Sequence, residues 1–243
     1  MSVATDIKAR LAALDWPAIE QSLWELGYAK TPPVLTPAEC TELIELYADD
    51  RRFRSRVEMA RYKFGVGDYQ YFDAPLPPLV EALRVHAYPP LAAIANRWEA
   101  ALGTATRHPP DLPSLLALCR RRGQTKPTPL LLHYEAGGYN CLHQDLYGDV
   151  YGDVVFPLQL TGFLSRRGVD YTGGEFLLVE ARPRAQSRGE AVATEQGEIV
   201  IFTTRYRPAR GTRGYYRAVM RHGVSRVRSG SRYTLGVIFH DAQ

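Results

Sequence analysis

The second half of the chain alternates short apolar runs with turn-forming residues. From Leu130 onward, β-prone runs are separated by turns rich in glycine, proline or arginine. Runs this short and this closely spaced are typical of antiparallel strands that pack into a sandwich or close into a jelly-roll barrel. The six predicted strands cover residues 130–134, 156–164, 174–180, 197–204, 216–224 and 232–240.

The first half carries the longer period of amphipathic helices. Helical stretches are predicted over residues 17–27, 37–48, 78–102 and 112–121. Thr36-Pro37-Ala38-Glu39, at the start of the second stretch, is a capping box with proline at the first helical position. The third stretch is expected to be interrupted at Pro89-Pro90, because proline lacks the backbone N–H that a helix interior needs.

A β-hairpin is predicted between these helices, over residues 57–73, where two β-prone runs flank Gly65-Val66-Gly67-Asp68. No clear linker and no internal repeat divides the chain, so we expect one α+β domain over residues 1–243. Residues 1–128 are its mainly helical part, and residues 129–243 form a jelly-roll core that the helices brace on one face.

Composition is that of an ordinary globular protein, with 45% hydrophobic and 23% charged residues. No window approaches the roughly 18 to 20 apolar residues of a membrane helix. The N-terminal residues include Asp6 and Lys8 and lack the apolar core of a secretory signal, which favours a cytoplasmic location. Cys40, Cys119 and Cys141 form no CxxC pair, so neither a disulfide framework nor a zinc knuckle is indicated.

Positive charge is concentrated toward the C-terminus. The net charge is +4, but residues 165–232 contain fourteen arginines and six acidic residues. The planar fork of arginine binds phosphate or carboxylate oxygens in pairs. The stretch is therefore either a solvated basic face or a contact surface for an anionic partner. Candidates for phosphate contacts are Arg182, Arg184, Arg188, Arg207, Arg210 and Arg213.

A metal site is indicated by His143 and Asp145, which point to the same side if both end one strand. His222 ends another predicted strand and supplies a second imidazole. Two imidazoles and one carboxylate form the facial arrangement that leaves three coordination positions open on ferrous iron. Such a site needs a two-electron co-substrate, and 2-oxoglutarate fits because Arg232 at the start of the last strand can bind its far carboxylate. Tyr134 is placed to add a hydrogen bond.

These residues lie in motifs that resemble a known superfamily. The motifs are HQD around His143, GGEF from Gly173, HGV from His222 and GSRYT around Arg232, and they are similar to those of Fe(II)/2-oxoglutarate-dependent oxygenases with a double-stranded β-helix core. Longer segments, among them PTPLLLHYEAGGYNCLHQDLYGD and GGEFLLVEARPRAQSR, resemble a bacterial branch described as oxygenases of alkylation-damaged DNA, related to the AlkB-type demethylases.

The resemblance implies Fe(II) on His143, Asp145 and His222, and 2-oxoglutarate on Arg232 with help from Tyr134. It also implies O2 as oxidant and oxidative demethylation of alkylated DNA or another nucleic acid. The chain departs from the AlkB pattern Arg-x-Asn-x-Thr-x-Arg, because Arg232 is followed by Tyr233-Thr234-Leu235-Gly236. In that respect it is closer to a prolyl-hydroxylase type of co-substrate pocket.

Substrate contacts are expected at the mouth of the barrel. Aromatic and basic residues of the hairpin, notably Arg61 and Tyr62, form either a lid over a flipped base or an extension of the core sheet. Tyr147 and Tyr151 either line the pocket or belong to simple turns. The full set of substrate candidates is Tyr139, Tyr147, Tyr151, Arg61, Tyr62, Arg182, Arg184 and Arg188.

Two other functions are compatible with the same residues. The iron chemistry is equally suited to hydroxylating a protein side chain or a small metabolite. A jelly roll without catalytic activity would instead serve as a nucleic-acid-binding module, which the complete set of ligands disfavours.

Overall fold

A computed structural model describes residues 3–145, 154–182 and 184–243. The helices are α1 (Val3–Ala12), α2 (Trp16–Leu26), α3 (Pro37–Leu46), α4 (Pro78–Ala101) and α5 (Leu112–Arg121). The strands are β1 (Tyr28–Lys30), β2 (Phe53–Glu58), β3 (Gly65–Val66), β4 (Asp68–Phe72), β5 (Leu130–Glu135), β6 (Tyr139–His143), β7 (Leu158–Phe163), β8 (Tyr171–Gly173), β9 (Phe176–Ala181), β10 (Arg188–Val192), β11 (Ile199–Thr203), β12 (Tyr206–Gly211), β13 (Gly214–Val224) and β14 (Val227–Val237). No described helix is long and apolar enough to cross a membrane.

The strands form two antiparallel sheets. The larger, called here the major sheet, has the order β1-β11-β7-β14-β5-β4-β2, with β8 paired to β14. The smaller, the minor sheet, has the order β10-β9-β13-β6-β3, with β12 paired to β13. A cavity between them is lined by residues of both sheets.

The helices cover the outer face of the major sheet. Leu235 and Val237 of β14 belong to the same buried cluster as Leu83 and Leu91 of α4. The alternate positions of β14, from Arg232 through Gly236, line the cavity on the other face. This two-residue alternation gives β14 one face for the core and one for the site, as expected for a strand.

The capping box is confirmed. The Thr36 hydroxyl accepts a hydrogen bond from the backbone N–H of Glu39 at 3.3 Å, and the Glu39 carboxylate accepts one from the Thr36 N–H at 2.7 Å. These bonds satisfy two backbone donors that a helix start leaves unpaired.

The predicted interruption at Pro89-Pro90 is wrong, because α4 runs through both prolines. A proline inside a helix costs about 3 kcal/mol or more in lost hydrogen bonding and steric conflict. Burial compensates here, since Leu83 precedes the pair and Leu91 and Trp98 follow it, all in one core cluster. Tertiary packing therefore overrides the local preference.

The hairpin exists with different bounds. Its arms are β2 and β4, and residues 59–67 connect them through a 3₁₀ turn (Met59–Tyr62) and β3. β4 pairs with β5, so the hairpin extends the major sheet. Because β3 pairs with β6, the connection crosses to the minor sheet and closes one side of the cavity.

All six predicted strands are present, with shifted ends, but β1, β3, β6, β8, β10 and β12 were predicted neither among them nor as arms of the hairpin. β10 and β12 lie at edges of the minor sheet and are rich in charged residues. β12 also contains Pro208, a residue that central strands avoid. The sheets draw in β1 to β4 as well, so the jelly roll uses strands from the predicted helical part.

Candidate active site

The three predicted metal ligands lie together on the minor sheet and the loop after it. His143 at the end of β6 is the direct cross-strand partner of His222 on β13. Asp145 follows two residues later, with its carboxylate oxygens 3.3 Å from Nε2 of His143 and 3.2 Å from Nε2 of His222. One ligand atom from each side chain lies within 4.8 Å of the others. The strand register thus joins residues about eighty positions apart.

Hydrogen bonds hold this cluster in place. His143 Nδ1 lies 2.7 Å from the Cys141 carbonyl oxygen, which can only accept, so Nδ1 donates this hydrogen bond and Nε2 faces Asp145. The Asp145 backbone N–H donates to the Thr204 carbonyl at 3.1 Å. Gln159 on β7 donates a side-chain hydrogen bond to the Asp145 carboxylate. Such outer contacts orient metal ligands.

The environment sets the charges of the ligands. Burial alone would raise the pKa of Asp145, but His222 and the hydrogen bonds with both imidazoles outweigh it and hold that pKa well below its usual range. Burial lowers the pKa of His222 despite the attraction of Asp145. For His143 the same burial effect is outweighed by Asp145, and its pKa is raised. An anionic carboxylate and a neutral imidazole are the forms that bind a metal.

Arg232 lies across the cavity on β14 and is 1% exposed. Within the described part of the chain, its Nε and Nη1 atoms have no hydrogen-bond partner. Its guanidinium carbon lies 5.5 Å from the ring centroids of Tyr134 and Phe163 and 5.8 Å from that of Tyr171. A buried cation with unused donors is costly on its own, so the arrangement fits an anionic ligand such as a carboxylate.

Tyr134 is the cross-strand partner of Arg232 on β5 and is fully buried. Burial raises the pKa of Tyr134 to about 12, although Arg232 acts against the shift. The phenol is therefore neutral near pH 7 and can donate a hydrogen bond to the ligand of Arg232. Its oxygen already accepts one from Asn140 at 3.4 Å.

Gly174 makes room for the arginine. A Cβ atom at this position would lie 2.8 Å from Cδ of Arg232, and the backbone φ of +62° is one that other residues rarely adopt. The GGEF motif therefore serves the arginine pocket.

One cavity of about 480 Å³ joins these groups. Its walls include the three metal ligands, Arg232 and Tyr134. The remaining lining is largely apolar and aromatic, contributed by Phe64, Tyr69, Leu130, Leu132, Leu160, Phe176, Phe202 and Ile238. A cavity of this size and character is suited to a small organic co-substrate and one substrate group.

The predicted substrate residues of the hairpin lie near one wall of this cavity. Tyr62 is 60% exposed and stacks on Phe64 with ring centroids 5.5 Å apart and an interplanar angle of 22°. Arg61 is exposed and paired with Glu58. Tyr139 on β6 lies 5.8 Å below the guanidinium of Arg226 and is not a lining residue. Phe64 and Lys63 rather than Tyr62 reach the cavity.

Three of the six predicted phosphate-binding arginines form ion pairs with acids of the protein. Arg182 and Arg207 both pair with Glu180, and Arg207 is buried. Arg188 pairs with Glu190 at 3.2 Å. Arg184 is exposed, as are Arg210 and Arg213. Tyr147 and Tyr151 lie outside the described residues.

Several residues at the site were missed from the sequence, notably Gln159, Asn140 and Tyr69. Gln159 lies in the strand predicted over residues 156–164. The alternation of side chains along that strand could have identified Gln159 as a residue facing the cavity. Asn140 and Tyr69 reach the cavity through the pairing of β6 and β4 with their neighbours, which no local pattern encodes.

Solved structures with a similar fold are oxygenases and related enzymes. A Pseudomonas putida prolyl-4-hydroxylase has a TM-score of 0.57 at 16% identity, covering 94% of this chain and 100% of that one. A Trichoplax adhaerens prolyl hydroxylase has a TM-score of 0.55 at 12% identity, covering 96% and 91%. The alpha ketoglutarate dependent epimerase SnoN has a TM-score of 0.56 at 15% identity, covering 93% and 82%. The shared fold is the double-stranded β-helix, as expected from the motifs.

A family model described as an oxygenase catalysing oxidative methylation of damaged DNA matches residues 67–242. Proteins from two Mycobacterium tuberculosis strains, CDC 1551 and H37Rv, both named uncharacterized, are 51% identical over 171 residues, which is 70% of this chain and 72% of theirs. The chain belongs to this oxygenase family. Its His-Asp-His cluster and its double-stranded β-helix fold fit the Fe(II) and 2-oxoglutarate expected from the motifs.

Proposed function

We propose that His143, Asp145 and His222 are the iron ligands. The supporting observation is their convergence in one cavity, with both Nε2 atoms directed at the Asp145 carboxylate and no other described histidine or acid close enough to join them. Two nitrogens and one carboxylate oxygen are the donor set of the facial iron site.

We further propose that Arg232 and Tyr134 bind the distal carboxylate of 2-oxoglutarate. The supporting observation is that Nε and Nη1 of Arg232 lack partners among the described residues although the side chain is buried. A carboxylate would accept from both atoms of the fork, and the neutral Tyr134 phenol would donate a third bond. When bound, the iron and 2-oxoglutarate supply the oxidation of a substrate C–H bond by O2, with release of succinate and CO2.

The protein's own residues orient and protect this chemistry. Gln159 and the Thr204 carbonyl fix the Asp145 carboxylate and backbone, and Cys141 fixes the His143 ring. The apolar lining between the sheets excludes water from the reacting group. The chain therefore contributes position and desolvation, while the cofactors supply the oxidising power.

The proposed substrate is an alkylated base in DNA or another nucleic acid. The family description names damaged DNA, and the cavity lining of Phe64, Tyr69 and leucines suits a flat, uncharged group. Hydroxylation of an N-methyl group would give a hydroxymethyl group that leaves as formaldehyde, which restores the N–H of the base. The chain would then act in DNA repair.

The test is turnover of methylated oligonucleotides with Fe(II), 2-oxoglutarate and O2, followed by mass spectrometry of succinate, formaldehyde and the base. We expect all three products from the wild type and none from His143→Ala. His86→Ala is the matched control, because His86 lies on α4 and does not line the cavity. Unchanged turnover in His143→Ala would refute the ligand assignment.

A second candidate is hydroxylation of a protein side chain or a small metabolite. The AlkB pattern Arg-x-Asn-x-Thr-x-Arg is matched here only by its first arginine, Arg232. The position of its last arginine is taken by Ile238, which lines the cavity, and this favours the second candidate. Succinate and hydroxylated product from a peptide or metabolite library, with no formaldehyde from any methylated oligonucleotide, would establish this alternative.

A further inference from the structure

A second and larger cavity, of about 700 Å³, adjoins the active site through Asp145, which lines both. We call it the arginine groove. Its other walls come from the segment before α5, from the C-terminal end of α5 and from the turn between β11 and β12. Four arginines line it: Arg107, Arg121, Arg122 and Arg205.

Arg107, Arg121 and Arg122 are exposed. Within the part of the chain that the structure describes, none of the three has a carboxylate partner, and Arg107 donates only to backbone carbonyls of its own loop. Arg121 and Arg122 end α5, where the helix dipole favours positive charge. All three guanidiniums therefore line the groove without a carboxylate partner among the described residues.

Among the described residues the groove is lined by four arginines and two acids, Glu99 and Asp145, so the acids offset only part of this charge. Glu99 accepts a hydrogen bond from Thr104 at 2.5 Å and faces His108 at 3.8 Å. Asp145 is engaged by the two active-site histidines and Gln159. The groove therefore presents a positive surface that begins at the edge of the metal site.

Three of the six arginines predicted from sequence as phosphate contacts differ from this set. Arg182 and Arg207 form ion pairs with Glu180, and Arg188 forms one with Glu190. Unpaired arginines beside a reactive centre are the ones able to gain from an anionic ligand, because they lose no protein partner on binding.

We propose that the arginine groove binds the phosphodiester backbone of the substrate strand while one base enters the cavity between the sheets. The assignment deepens the proposed function and rests on it. Continuity through Asp145 places backbone and reacting base on adjoining surfaces, and the charge is complementary to phosphate. The strand would run from the aromatic wall at Phe64 past the metal site toward α5.

The test is the salt dependence of binding of an unmodified, fluorescein-labelled single-stranded oligothymidylate to the Fe(II)- and 2-oxoglutarate-loaded protein without O2. Each phosphate contact contributes about 0.7 to the slope of log affinity against log salt for a single strand. We expect Arg121→Gln/Arg122→Gln to reduce the slope by about 1.4 and to weaken binding roughly five- to tenfold at moderate salt. Adding Arg107→Gln should reduce the slope further.

The matched control is Arg166→Gln/Arg167→Gln, which removes the same charge from two consecutive exposed arginines beyond the other end of β7. We expect it to leave the slope unchanged. Three outcomes would overturn the proposal. They are an equal loss of slope in both double variants, no loss of slope in Arg121→Gln/Arg122→Gln, and preferential binding of an acidic peptide in the groove. Binding of 2-oxoglutarate by each variant, measured separately, establishes that the fold is intact.

The outcome is separable from that of the proposed function. If methylated oligonucleotides are not turned over but the slope still depends on Arg121 and Arg122, the groove stands and the substrate assignment fails. If they are turned over and these substitutions change neither the slope nor KM, the groove fails and the substrate assignment stands.

Discussion

Two regions of the molecule bury an arginine, and they treat it differently. Where α4 meets the end of β14, Arg84 is 2% exposed and donates to the carbonyls of Ile238 and Phe239 and to the Asp241 carboxylate, at 2.7 to 3.0 Å. In the cavity, Arg232 is buried to the same degree but leaves Nε and Nη1 without partners among the described residues. The first arginine completes the fold, and the second keeps donors unused, which is the basis for the proposed binding of a carboxylate there.

The largest expected effect concerns the paired arginine. Arg84→Met should lower the free energy of unfolding by about 3 to 5 kcal/mol, because Asp241 is left buried without its cation. Arg232→Met should change it by less than about 1 kcal/mol in the absence of ligand, since no hydrogen-bond or ion-pair partner among the described residues is lost. Urea unfolding of both variants measures the difference, and equal destabilisation would remove the distinction between the two regions.

The second prediction concerns the unpaired arginine. Arg232→Met should weaken 2-oxoglutarate binding by at least about 100-fold, because two charge-assisted hydrogen bonds are lost that together are worth about 3 kcal/mol or more. Calorimetric titration of the Fe(II)-loaded protein without O2 measures this. Arg232→Lys keeps the charge but not the planar fork of the guanidinium, so its affinity for 2-oxoglutarate should lie between those of the wild type and Arg232→Met. Wild-type affinity in Arg232→Met would locate the co-substrate elsewhere.

The third prediction concerns the pH dependence of stability near Arg84, where His240 is buried. Burial, with Arg84 nearby, lowers the pKa of His240 from 6.5 to about 4, and its Nδ1 accepts the Phe156 backbone N–H at 3.2 Å. Below pH 6.5 the His240 imidazole binds a proton in the unfolded chain but not in the folded protein. The free energy of unfolding therefore decreases as pH falls, and the decrease levels off below about pH 4.

At pH 5 the loss from His240 amounts to about 2 kcal/mol. His240→Gln keeps a hydrogen-bond acceptor but does not titrate. Between pH 7 and pH 5, its free energy of unfolding should therefore decrease by about 2 kcal/mol less than that of the wild type. Parallel pH dependence in the two proteins would contradict this. Urea unfolding at both pH values provides the measurement.

The smallest expected effect concerns the shape of the arginine pocket. Gly174→Ala should cost about 1 to 2 kcal/mol of stability from its positive φ and should also weaken 2-oxoglutarate binding, because the new Cβ displaces Arg232. Gly168→Ala is the control, since its φ is +80° and nothing lies within 4 Å of its added Cβ. It should share the loss of stability and retain affinity for 2-oxoglutarate.

Much of the fold follows from local pattern. All six predicted strands are found, and the capping box on α3 is confirmed. Among the missed strands, β1 and β10 lie at sheet edges, and the mostly exposed residues of β10 reflect solvent rather than a buried face. The helix through Pro89 was missed for the opposite reason, because its core contacts are made with residues distant in sequence.

The candidate site divides in the same way. His143 and Asp145 were identified from their spacing on a strand, and Arg232 from its motif. Gln159 lies on a predicted strand, but its contact with Asp145 depends on the pairing of β7 in the major sheet. Three of the four arginines of the groove come from the end of α5 and the loop before it, outside the basic stretch of residues 165–232.

The sequence by itself determined the strand and helix periods, the ligand types of the metal site and the excess of arginine. Tertiary structure alone decided which arginines remain available. Arg207 lies in the basic stretch yet pairs with Glu180, whereas Arg121 lies outside it and has no carboxylate partner among the described residues. An ion pair depends on distances of a few ångströms between residues far apart in the chain, so composition counts charges and only the fold pairs them.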